Sequence, residues 1–198
     1  MIATESDTVA VPLDGATEAS VHLEFGGGEL AIVAASPGTL VSGVAPGAVV
    51  ERSGPGRVRI RPSAPTRDWR PLHWRLGLTG DVPLDLVLAM GGQRSGIDLS
   101  ALQVRRLRLD TGASETRIRL PSRGPTSVHV ACGFALVTLE VPMDVRARIR
   151  GRLVLGTTEI DERRFPRAAD GWASPDAADD PEAIDIVLEG AFGTVRVV

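Results

Sequence analysis

Apolar and polar residues alternate with a period of two along most of the chain, and glycine interrupts the alternation at intervals. The first such unit is Val21-His-Leu-Glu-Phe-Gly-Gly-Gly-Glu-Leu-Ala-Ile32. Others run from Leu86 to Leu99, Leu107 to Leu120, Val128 to Val141 and Ile184 to Val197. Each reads apolar–x–apolar, a glycine-centred step, then apolar–x–apolar again. Period-two alternation predicts half-buried strands. Glycine between two strands predicts a bend whose backbone angles a side chain would forbid. The structural turns are therefore assigned to Gly26, Gly27, Gly91, Gly112, Gly133 and Gly190.

Gly91, Gly112 and Gly133 are spaced 21 residues apart. That period is close to one coil of a β-solenoid, in which inward residues of successive rungs stack into one apolar core. The expected fold is all-β: a β-solenoid, single-stranded and β-helix-like, with rungs of about 21 residues. A hairpin-built β-sandwich fits the alternation as an alternative. In the solenoid, Leu109, Val130 and Ile149 occupy neighbouring rungs of one inner ladder. Weaker copies of the unit appear at 58–61 and 147–153. Residues 1–198 form a single domain on this reading. A Pro/Trp excursion at 62–78 returns to the core at Trp74 and Leu76. An acidic loop at 166–182, too polar to pack by itself, is pinned by Trp172.

Composition narrows the chemistry. All 22 basic residues are arginine, and Lys, Asn and Tyr are absent. A high-GC bacterial genome accounts for that bias. Without Lys there is neither a Schiff base nor a P-loop lysine. The net charge of −3 gives nucleic acid no general electrostatic attraction. Charge is segregated, however, with arginine concentrated in 101–152 and acids in 1–50 and 153–198. The single cysteine, Cys132, sits in an apolar run and reads as a buried thiol. The N-terminus has neither the basic nor the apolar region of a signal peptide, and no stretch is long and apolar enough to span a membrane.

The sequence resembles the toast-rack domains, which are related to the C-terminal domains of LiaF-type cell-envelope stress regulators and to adhesin-like bacterial proteins. The resemblance rests on Leu23-Glu-Phe-Gly-Gly-Gly-Glu-Leu-Ala-Ile32 at the start. It continues through Asp81-Val-Pro-Leu-Asp-Leu-Val-Leu88, Gly91-Gly92, Asp98-Leu-Ser-Ala-Leu102, Leu107-Arg-Leu-Asp-Thr-Gly-Ala-Ser114 and Leu120-Pro121. It closes with Ile184-Asp-Ile186 and Gly190-Ala-Phe-Gly-Thr-Val195. It implies a solenoid-like all-β fold, a non-enzymatic role and frequent attachment to a membrane segment. It brings no catalytic residues with it.

Among candidate sites, Leu109-Asp-Thr-Gly-Ala-Ser114 matches an aspartic-protease signature, but that chemistry needs a second carboxylate close by. The other repeats carry Ala-Met-Gly, Ala-Cys-Gly and Glu-Gly-Ala in the same slot, so Asp110-Thr111-Gly112 reads as a structural bend. Arg146, Arg148, Arg150 and Arg152 alternate and share one strand face, as do Arg117 with Arg119 and Arg57 with Arg59 and Arg61. One reading is a solvated face that blocks edge aggregation. The other is a basic surface for an anionic partner, formed by Arg117, Arg119, Arg146, Arg148, Arg150 and Arg152. His22 and His129 occupy matching outward slots and suggest no metal site, and Asp176, Asp179, Asp180 and Glu182 lack a calcium-loop pattern.

The expectation is a non-catalytic interaction or scaffold domain of a bacterial envelope- or membrane-associated protein, without cofactor or metal. Its partner would be a protein or an anionic envelope polymer or lipid surface, not nucleic acid. An open solenoid end would also permit a homodimer. The alternative is a regulatory domain acting on a sensor kinase in envelope-stress signalling, and a more remote one is a hydrolase.

Overall fold

The computed structural model describes residues 2–63 and 72–198. The fold is all-β. Its N-terminal part comprises β1 (Ile2–Pro12), β2 (Ala19–Ala34), β3 (Thr39–Gly54), β4 (Arg57–Pro62) and β5 (Leu72–Leu78). The middle comprises β6 (Leu84–Asp98), β7 (Val104–Thr111), β8 (Glu115–Arg119) and β9 (Ser127–Glu140). The C-terminal part comprises β10 (Ala147–Leu153), β11 (Thr157–Ile160), β12 (Arg167–Ala168), β13 (Gly171–Ala173) and β14 (Ile184–Val197).

The long strands β2, β6, β9 and β14 each serve two parallel ladders. Before the glycines, the pairing order is β4–β2–β6–β7–β9–β14–β10. After them, it is β5–β2–β6–β8–β9–β14–β11. Along β9, the buried residues are Val128, Val130 and Cys132 before the bend and Ala135, Val137 and Leu139 after it. The inward parity therefore switches at the bend, so both halves of one strand face one core.

The 21-residue spacing is a physical register. Leu88 pairs Leu109, and Leu109 pairs Val130. All three are 0% exposed. Ile149 departs from the expected order. The C-terminal strand β14 inserts between β9 and β10, so Ile149 pairs Ile186, which in turn pairs Val128. A strand as arginine-rich as β10 is poorly suited to the middle of the parallel ladder. The more apolar β14 takes the central place. A similar crossover at the other end puts β2 between β4 and β6.

The strand pattern changes at the N-terminal end. There β3 runs antiparallel to β4 and β5, and β1 runs antiparallel to β3. Of the predicted excursion, 64–71 lies outside the described residues. Trp74 and Leu76 are buried as expected. The Trp74 ring lies 5.1 Å from that of Phe25, and its Nε1 donates to the Pro46 carbonyl at 3.1 Å.

The acidic segment 166–182 is more ordered than its polarity predicted. It contains β12, β13 and a 3₁₀ turn at Ala177–Asp179. Pairing to β10 explains this, because Arg148 and Ile149 sit opposite Ala173 and Trp172. Trp172 packs on the core, donates to Glu162 Oε1 at 3.2 Å and stacks under Arg167. Charges segregated along the chain meet in space. Arg146 pairs Asp180, Arg148 pairs Asp185, and Arg105 reaches Glu18 across 87 positions.

Candidate functional site

The six glycines assigned to turns all lie inside strands or at their ends, where one ladder gives way to the other. None of them has positive φ; at the bends that distinction belongs to Gly28 (φ 118°) and Gly193 (φ 104°). The need at Gly91 and Gly190 is close approach. A Cβ on Gly91 would lie 2.3 Å from the Gly26 carbonyl oxygen, and one on Gly190 would lie 2.5 Å from that of Cys132. Bare backbone at successive bends leaves a shallow groove of about 840 Å³ across the rungs.

One wall of this groove is a regular row. Glu24, Ala89, Asp110, Ala131 and Glu189 are successive register partners, and Arg152 continues the row beyond the groove. The next outward row is Arg59, His22, Val87, Arg108, His129, Val187 and Arg150. Several members of the two rows pair with each other. Arg59 pairs Glu24, Arg108 binds Asp110 with two donors at 2.7 and 3.0 Å, and His129 meets Glu189 at 3.1 Å. Hydrogen bonding to the carboxylate raises the Arg108 guanidinium above its ordinary value, and Glu24 does the same to Arg59. Asp110 is flanked in register by alanines on both sides and engages its own arginine. Its surroundings are those of an ion pair rather than a proton-sharing carboxylate dyad.

Cys132 lies on the groove floor, and burial pushes its thiol pKa up. A raised value keeps the sulfur protonated and a poor nucleophile. Within the bends lies a small polar cluster. Thr111 Oγ1 and Ser114 Oγ are 2.6 Å apart, and Gln93 is buried with neither carboxamide atom partnered among the described residues.

The arginines assigned to one anionic-partner surface fall on two different ladders. Arg117 and Arg119 project from β8, and Arg117 pairs Glu140. Arg146, Arg148, Arg150 and Arg152 belong to β10 and its approach. Arg148 grips Asp185 at 2.7 and 3.1 Å and also donates to the Ala177 carbonyl. Arg150 and Arg152 are exposed and have no ion-pair partner among the described residues. The expected basic surface is thus two separate groups, each with half of its arginines in ion pairs among the described residues.

Sequence reasoning overlooked an apolar ridge just beyond the bends. Gly27 pairs Gly92, and Phe134 pairs Phe192 in the same ladder. The flanking ladder registers place Ala113 beside Phe134 and Leu155 beside Phe192. Along this row the side chains grow from nothing to Phe, Phe and Leu. The phenyl rings stack with centroids 4.7 Å apart. Phe134 is 69% exposed, Val154 77% and Leu155 70%. The signal was present in the repeat alignment, as Gly133-Phe134 where earlier copies have Gly91-Gly92 and Gly112-Ala113.

Residues 2–140 match the family model described as the N-terminal domain of toast_rack, DUF2154. No curated protein matches the sequence. The fold is similar to that of a candidate cell adhesion protein from Clostridium sporogenes ATCC 15579. The TM-score is 0.84 at 16% identity, covering 99% of each chain. A candidate adhesin from Bacteroides fragilis NCTC 9343 aligns over 100% of this chain and 96% of its own, at TM-score 0.40 and 9% identity.

Proposed function

The chain belongs to the toast_rack family, and from that membership we propose that it is a non-catalytic interaction domain of a bacterial envelope- or membrane-associated protein. The proposed architecture is a β-solenoid, with the two parallel ladders as walls and the 21-residue register as its repeat. The adhesion description of the Clostridium sporogenes protein supports the same direction.

The observation that carries the reading is the stacked, exposed Phe134–Phe192 pair. It stands on a surface whose other outward rows are largely matched ion pairs. Burying apolar side chains is the main source of folding free energy, and exposed clusters of them mark contact sites. Neutralised charge rows suit a supporting scaffold, since isolated surface pairs contribute only about 0–1 kcal/mol each.

Co-sedimentation of the full chain with isolated bacterial envelope fragments tests the proposal. Retention on the fragments is expected. Failure to sediment, combined with specific capture of a sensor-kinase domain, would replace this reading with a regulatory one. A hydrolytic activity that disappears in Asp110→Asn would overturn the non-catalytic assignment.

A further inference from the structure

We propose that the ridge at the C-terminal bends is a membrane-contacting edge that takes an anionic lipid bilayer. This inference rests on the envelope reading above and names the partner of the same surface.

The bends themselves do not require large side chains, because Gly91-Gly92 and Gly112-Ala113 make the same step. Only the last rungs carry Phe134, Phe192, Val154 and Leu155 there. Val154 and Leu155 form their bend by donating backbone N–H groups to Gly190 and Ala191, at 3.0 and 2.7 Å. That leaves both side chains outside the core. Leu136, 40% exposed, extends the patch.

Charge beside the ridge decides the occupant. Of the nearby acids, Asp185 pairs Arg148 and Glu159 pairs Arg196, while Glu189 hydrogen-bonds His129 and lies opposite Arg152 in register. Arg152 lies two residues before Val154, and it and Arg150 are exposed without an ion pair among the described residues. Arg150 borders a hollow that also contains Asp170, without a salt bridge to it. Protruding apolar side chains with adjacent free guanidinium groups are the elements of interfacial binding: aliphatic and aromatic groups enter the headgroup boundary, and arginine meets the anionic surface. A fluid bilayer needs no preformed pocket to accept side chains as exposed as Val154 and Leu155.

The test is flotation of the full chain with vesicles of equal parts phosphatidylglycerol and phosphatidylcholine, against vesicles of phosphatidylcholine alone. Binding is expected to the mixed vesicles and to weaken as salt is raised. Phe134→Ser with Leu155→Ser should lower the vesicle affinity roughly tenfold or more. Arg150→Gln with Arg152→Gln should lower it roughly tenfold on mixed vesicles and leave the weak binding to phosphatidylcholine unchanged. All four sites are exposed, and circular dichroism melts confirm that each variant folds. Vesicle binding that neither double variant reduces would overturn the inference. So would a dimer in size-exclusion chromatography that Phe134→Ser dissociates, since the ridge would then be a contact between copies. Absence of vesicle binding with envelope sedimentation intact would overturn the lipid assignment alone. Absence of both would overturn the functional reading as well.

Discussion

Leu109 lies directly opposite Val130 in a neighbouring parallel strand, and both side chains are wholly buried. Their separation equals the spacing of Gly112 and Gly133, so one register aligns core and bends together. Truncating either residue removes core contacts with both neighbouring strands. Leu109→Ala should cost about 3 kcal/mol in urea unfolding, within the range for a large core residue cut to alanine. A loss below about 1 kcal/mol would show that the paired strands do not share a tightly packed core.

The bend glycines should differ in their tolerance of alanine. A Cβ on Gly91 meets the Gly26 carbonyl oxygen at 2.3 Å, whereas one on Gly112 finds nothing nearer than 3.7 Å. Neither has positive φ. Gly91→Ala should destabilise by about 2 kcal/mol through overpacking against backbone. Gly112→Ala should be neutral or stabilising by up to about 1 kcal/mol, because it restricts the unfolded chain. Equal losses in thermal denaturation would refute the close-approach account.

Within repeats the sequence was informative, because strand alternation and glycine spacing are local. Leu86, Leu88, Leu107, Leu109, Val128 and Val130 announced their inward faces through period two alone. Strand order at the ends was not local. Whether Ile149 packs beside Val130 or beyond Ile186 depends on which strand better tolerates burial between neighbours, and alternation is identical in both cases. The same limit hid the charge pairing. Arg146 and Asp180 are 34 positions apart, so the segregated sequence suggested a basic stripe that folding neutralises in part. The aromatic ridge was readable only by comparing bend residues across repeats, since Phe134 alone looks like any strand residue.

Gln93 is a local weakness in the interior. Its carboxamide is buried with no partner on either atom among the described residues. An unpaired buried amide costs on the order of 1–3 kcal/mol. Gln93→Met keeps the length and removes both polar atoms. It should raise stability by about 1 kcal/mol, read as a higher urea midpoint with an unchanged slope. A lower midpoint would mean that the amide is satisfied in solution.

Acid should expose the contribution of Asp98. Its carboxylate accepts from the Ser100 hydroxyl at 2.6 Å and from the Ser100 backbone N–H at 3.0 Å. The Ser100 hydroxyl bond is the main cause of a folded-state pKa below the usual carboxylate range, with Arg119 adding to it. A depressed folded value means that the charged form is favoured by folding. The resulting stability is present above the unfolded pKa of about 3.9 and is lost as pH falls through the folded value. Asp98→Asn keeps an acceptor for Ser100 but removes the charge. The melting temperature of the wild type should exceed that of Asp98→Asn at neutral pH. The gap should narrow as the solution is acidified below the usual carboxylate range. Because Asp98 is exposed, solvent screening keeps the effect small. A gap that stays constant or widens on acidification would show that the charge of Asp98 contributes nothing to the folded state.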